Sequence, residues 1–189
     1  MPAYTANHSL CSPSVMGGMA VANPRLNELG TLGFIATSDG TDRWLVSCYH
    51  ILCDRLQSPS FHLTMEPIVC HVDRRRPALT VAMLDSARAN KELDAAAALI
   101  VNRESAVGRI IGLGAINPKP IDTYDGMRVI KFGIASGVTE GIVRPNTATT
   151  SIEIHSYQQS TENAVCKQGD SGALWLDAAT MRPIALHRN

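Results

Sequence analysis

The chain has no surplus of either charge. Lys and Arg total 17 and Asp and Glu total 17, so no global field draws it to nucleic acid or to an anionic membrane surface. Aromatic residues make up only 5%. No apolar run approaches the roughly 20 residues that cross a bilayer as a helix. The first positive side chain is Arg25, so the basic n-region of a secretory signal is missing from this sequence. Cysteines stand at 11, 48, 53, 70 and 166. An odd count with irregular spacing excludes a complete disulfide framework and predicts free thiols in a reducing, cytoplasmic setting. Arg74-Arg75-Arg76 is the one basic run and reads as a solvated loop. Internal repeats and low-complexity segments are absent.

What is present is a sequence of 189 residues, 45% hydrophobic and 18% charged. That composition excludes disorder and allows one large domain or two small ones sharing a cleft. One stretch stands out: Lys167-Gln168-Gly169-Asp170-Ser171-Gly172-Ala173-Leu174-Trp175-Leu176. Small residues there present a single hydroxyl, and an apolar strand follows. A serine is a weak nucleophile unless a base lies within hydrogen-bond reach and donors await the oxyanion. Gly169 allows a turn whose N–H faces a substrate carbonyl, and the Ser171 N–H would be the second donor.

Much of the remaining chain reads as short strands. Residues 1–25 form an arm rich in Pro and Gly, with one short strand expected near Met19 to Ala22. Gly30–Thr37 and Arg43–Cys48 read as a hairpin around Ser38-Asp39-Gly40, with Tyr49-His50-Ile51-Leu52 at its end. Ile68–Val72 and Leu79–Leu84 are two further strands, separated by the basic turn that ends in Pro77. Glu92–Val101 is rich in alanine, the best helix former. Its nearly continuous apolar run also suits a strand buried on both faces, and Ala95–Val101 is predicted as one.

Gly and Pro mark 112–126 as a linker. In 128–134, Ile130, Phe132 and Ile134 alternate with Lys131 and Gly133, which predicts a half-buried strand with the apolar set on one face. Gly137–Gly141 reads as a turn that continues outward to Arg144. Ser151–Ser156, Ala173–Leu176 and Pro183–His187 complete the strands. The fold class is all-β.

Three residues have suggestive settings in chain order. His50 lies just past a strand end, Asp94 opens the alanine run, and Ser171 sits in Gly-Asp-Ser-Gly. Taken singly, His50 reads as a packed or surface histidine and Asp94 as a strand-start cap. Together, in the order His, Asp, Ser, they resemble the trypsin-like (chymotrypsin-fold) serine proteases, bacterial members in particular. Gly30-Thr-Leu-Gly33 is similar to the strand before their histidine, and 129–143 to the hairpin that opens their second barrel.

The resemblance implies two antiparallel β-barrels of the six-stranded type. The N-terminal barrel would be 26–111 and carry His50 and Asp94. The linker would be 112–126, and the C-terminal barrel 127–189 would carry Ser171. The family continues beyond the point matching Asn189 with another strand and a helix. The C-terminal barrel is therefore expected to be incomplete here, or to be completed or regulated by a partner protein.

The implied activity is a serine endopeptidase working through an acyl-enzyme on a protein or peptide substrate, without metal or organic cofactor, nucleic acid or membrane. His50, Asp94 and Ser171 would be catalytic, with Gly169 and Ser171 forming the oxyanion hole. Val165 and Cys166 would form the base and wall of the substrate pocket, with His187 beside them. A histidine there resembles glutamate-specific bacterial proteases; Val165 and Cys166 instead favour a small or apolar side chain. Asp170 would take a buried ion pair whose partner the sequence does not identify.

The sequence departs from the secreted members by placing Ile51, not cysteine, after the histidine. Two other readings compete. One is a protease-like binding module without turnover. The other is a zinc-binding domain using Cys48, His50 and Cys53 with Cys70 and His71, whose spacing suits a structural zinc poorly.

Overall fold

The structure is a computed structural model that describes residues 14–37, 40–53, 66–71, 78–145, 151–156 and 165–188. The arm before Ser14, the Ser38-Asp39 turn, the Arg74-Arg75-Arg76 run and most of the loop before Lys167 lie outside the described residues. Among those described, the strands are β1 (Val15–Gly17), β2 (Ala20–Ala22), β3 (Gly30–Thr31), β4 (Phe34–Thr37), β5 (Arg43–Ser47), β6 (Pro67–His71), β7 (Leu79–Asn90), β8 (Ala95–Ile100), β9 (Ala106–Ile110) and β10 (Gly114–Ala115). They continue as β11 (Arg128–Gly133), β12 (Gly137–Pro145), β13 (Ile152–Ser156), β14 (Leu174–Asp177) and β15 (Pro183–Leu186). One short helix, α1 (Tyr49–Leu52), follows β5. No described helix is long and apolar enough to cross a membrane.

The first sheet runs β3-β2-β6-β7-β8-β5-β4. Its two end strands are consecutive segments of one run, interrupted at Leu32-Gly33, so the sheet curls back on itself. Val21, Leu32, Leu45, Ile51, Leu52, Ile68 and Ala98 fill its interior. β8 settles the competition between propensity and burial. Its alternate residues Ala96, Ala98 and Ile100 are buried, and it pairs with both β5 and β7. Two ladders and a core face outweigh the modest helix preference of alanine. β7 extends six residues past Leu84 to Asn90, with a register irregularity between Leu84 and Ala89. That polar extension carries the chain out to the turn before Asp94.

The second sheet runs β13-β12-β11-β14-β15. Its five strands curl around Met127, Val129, Val143 and Trp175. Two expectations need correction. The hairpin turn lies at 134–136, and Gly137 already pairs with Gly133, so 137–145 is one strand. The phase of β11 is also the reverse of the apolar pattern. Val129, Lys131 and Gly133 face the barrel interior, and Lys131 is fully buried. Ile130 and Phe132 turn to the other side and pack with Ile110, Leu174 and Leu176, near Phe34 and Leu186. That third cluster draws residues from both sheets and cements the seam. The small β1-β9-β10 sheet lies there too, with β1 parallel to β9. β9 and β10 are strands that the sequence pattern missed.

Candidate active site

Asp94 ends the turn from Lys91 that joins β7 to β8, and it holds a left-handed φ of 50°. A side chain rarely adopts that conformation unless its surroundings hold it there. Here the surroundings are the start of α1, whose first N–H groups have no partner inside the helix. The Asp94 carbonyl accepts from Tyr49 N at 3.1 Å. Its Oδ1 accepts from His50 N at 3.0 Å, and its Oδ2 lies 2.7 Å from His50 Nδ1. A carboxylate can only accept, so Nδ1 carries the hydrogen and the Nε2 lone pair is left for another proton. His50 is 8% exposed, which keeps the pair largely out of water while leaving the ring an edge to the cleft.

The Gly-Asp-Ser-Gly loop is held by a pair that sequence reasoning left unidentified. Lys131 Nζ meets Asp170 Oδ2 at 2.8 Å, with both side chains fully buried. Asp170 also accepts from Ala135 N and Ser136 N at 3.1 Å and from Lys167 N at 3.0 Å. Burial alone would push the Asp170 carboxyl up. Hydrogen bonds with Lys131, Ser136 and Lys167, together with the lysine charge, outweigh burial and bring it down to about 2. Lys131 also bonds Ser136 Oγ at 3.0 Å and stands 5.3 Å over the Trp175 ring. The lysine is an internal counter-ion, placed by β11.

Thr31 ties this loop to the first barrel. Its N–H donates to Ser171 O at 2.8 Å, and its hydroxyl donates to Gly169 O at 2.9 Å while accepting from Ile134 N at 3.1 Å. Its own carbonyl accepts from Ser47 Oγ at 2.8 Å. Gly172 has a φ of 93°, and a Cβ there would collide with Ser47 Oγ and Thr31 O and sit 3.2 Å from Cys48 N. The serine loop therefore packs against the strand end that leads into His50. Gly169 has a φ of 103°. The N–H groups of Gly169 and Ser171 donate to nothing among the described residues, the state expected of donors kept for a ligand. The structure joins His50 to Asp94 directly. It brings Ser171 to the same seam without a hydrogen bond from its hydroxyl to His50.

Val165, Cys166 and His187 line one cavity of about 960 Å³, together with Trp175, Ile184 and the Glu92-Leu93 turn next to Asp94. Trp175 Nε1 donates to His187 Nδ1 at 3.3 Å, and the rings meet edge to face at 6.0 Å. This bond places the imidazole lone pair on Nδ1 and the hydrogen on Nε2. Trp175 thus lies between the lysine that anchors the serine loop and the histidine of the cavity. Cys48, Cys53, Cys70 and Cys166 are unpaired. Cys53 and Cys70 do not gather with His50, whereas Cys48 and Asp94 do.

Two sheets curled against each other, with the His–Asp pair on one and the Gly-Asp-Ser-Gly loop on the other, define the two-barrel chymotrypsin-like fold. Solved bacterial serine proteases share it. Thermobifida fusca Protease A aligns at 14% identity with a TM-score of 0.59, over 93% of this chain and 83% of that one. A glutamic acid specific serine protease, described as using a histidine triad in substrate binding, aligns at 16% and 0.62, over 93% and 85%. Nocardiopsis protease aligns at 13% and 0.61, over 93% and 84%. No protein-family model and no curated protein sequence matches the chain.

Proposed function

We propose that this protein is a serine endopeptidase. Ser171 Oγ attacks a peptide carbonyl, and His50 Nε2 takes its proton and later delivers it to the leaving amine. Asp94 holds the imidazole tautomer and stabilises its charged form. The N–H groups of Gly169 and Ser171 receive the oxyanion, each contributing about 3 kcal/mol to the transition state. The observation that carries this reading is the double grip of Asp94 on His50, through the backbone N–H and through Nδ1. It lies across the seam from a serine loop whose Gly169 and Ser171 N–H groups meet no acceptor among the described residues. The Ser171–His50 hydrogen bond tightens when substrate fills the cleft, as is common for catalytic contacts that are loose in an empty site.

For the substrate side chain we propose glutamate. His187 lines the cavity, and its bond from Trp175 leaves the Nε2 side as the donor of the ring. Profiling on a peptide library tests this. Cleavage after small apolar residues would credit Val165 and Cys166 instead, and cleavage after Lys or Arg would exclude both. The four unpaired thiols accord with a reducing cytoplasm.

A fluorophosphonate probe tests the reaction itself. It should label Ser171 in the wild type and fail in His50→Ala, and Ser171→Ala should lose about six orders of magnitude in turnover. The unmade bond from the Ser171 hydroxyl favours a second reading, a binding module without turnover. That reading holds if well-folded wild type is not labelled at all.

A further inference from the structure

We propose that Cys48, His50 and Asp94 form a binding site for a soft divalent cation of the zinc type, and that its occupation switches His50 off. Cys48 Sγ, a His50 ring nitrogen and an Asp94 carboxylate oxygen all lie within 4.8 Å of one another. No other such trio occurs among the described residues. Thiolate, imidazole and carboxylate are the three ligand types that zinc takes, at about 2.0–2.3 Å each. A tetrahedral ion at those lengths needs ligand atoms roughly 3.3–3.8 Å apart. The trio reaches this by drawing the thiol inward and opening the His50–Asp94 contact, now 2.7 Å. A water would complete the coordination. The spacing Cys48-x-His50 offers no zinc signature; the third ligand arrives from the turn that leads into β8.

The Cys48 thiol is fully buried, and it donates to His187 O at 3.2 Å. As ligands, Cys48 and Asp94 would each bring one negative charge. A divalent ion balances both charges: the thiol proton goes to solvent, the ion takes Nδ1, and the imidazole hydrogen moves to Nε2. That move removes the lone pair that would accept the Ser171 proton. The binding claim stands on these three residues alone, while the inhibitory consequence rests on His50 being the base.

The test is a titration of the full chain with cadmium, following the ultraviolet sulfur-to-cadmium charge-transfer band. One equivalent should produce the band in the wild type and in Cys166→Ala. Cys48→Ala and Cys48→Ser should lose it while keeping their circular dichroism; Cys48→Ser preserves size if the alanine variant does not fold. In parallel, zinc should slow fluorophosphonate labelling of the wild type, with roughly tenfold or more zinc needed in the Cys48 variants. A band that persists without Cys48, or that never appears at one equivalent, overturns the site. Equal zinc sensitivity of wild type and Cys48 variants overturns the switch. If no form is labelled, the protease reading fails, and the cadmium band still decides the site.

Discussion

Lys131 shows how a single residue can be misread from its neighbours. In a strand that alternates apolar and polar residues, a lysine reads as solvent-facing. Its partner stands 39 residues later in the chain, where no local pattern connects them. Only the folded barrel brings the ammonium to Asp170. Removing one member of a buried pair strands the other charge, at a cost of about 3–5 kcal/mol. Lys131→Met should therefore lower urea stability by that order. It should also suppress Ser171 labelling more than the stability loss explains, because the loop that Asp170 anchors would relax. Cysteine reactivity is a second residue-scale outcome. Burial pushes the Cys48, Cys53 and Cys70 thiols to about 12, whereas Cys166 is half-buried in the cavity wall. Iodoacetamide at neutral pH, mapped by mass spectrometry, should modify Cys166 and spare the other three.

Individual elements differ in how far the sequence disclosed them. β8 was legible because its apolar run is flanked by turn residues, although alanine argued for a helix. β9 and β10 were not: Ala106–Ile110 includes Gly108 and Arg109, only Ile110 of it is buried, and it is ordered by pairing with β1 and β10 in the seam. The phase of β11 was invisible because both its faces are covered, one by the barrel interior and one by the seam cluster. β3 is only two residues long, yet Thr31 on it makes four hydrogen bonds, three of them to the second barrel. Thr31→Val keeps the shape and removes the hydroxyl bonds to Gly169 O and Ile134 N. A shift of about 1 Å in a reacting group can cost on the order of a hundredfold in rate. Labelling of Ser171 in Thr31→Val should fall toward that figure, and Thr31→Ser should restore most of it. An unchanged rate in the valine variant would show that the loop is positioned without this tie.

At the scale of the whole molecule, the short strands gave the all-β class, and the two-barrel architecture was legible through the resemblance that the His, Asp, Ser order carries. How the barrels are fastened could not be read, since the bonds of Thr31 to Gly169, Ser171 and Ile134 and of Cys48 to His187 O join residues far apart in the chain. The anchoring of the serine loop within the second barrel is open to test by acid. The Asp170 carboxyl lies at about 2 in the folded chain, below its ordinary 3.8. A group lowered on folding stabilises fully above its ordinary value and loses that contribution as pH drops through the folded one. Thermal stability should thus hold down to about pH 4 and fall between there and about pH 2. Asp170→Asn, already less stable at neutral pH, should show a shallower fall across that window.

Many hydrolases stay dormant until a cut elsewhere in the chain frees a charge that completes their working site. Here the matching charge grows from an interior strand and arrives with folding itself. On the proposed peptidase reading, the Lys131–Asp170 pair forms without any cut. On that same reading, control would fall to when the protein is synthesised, what metal surrounds it, or what it is allowed to meet.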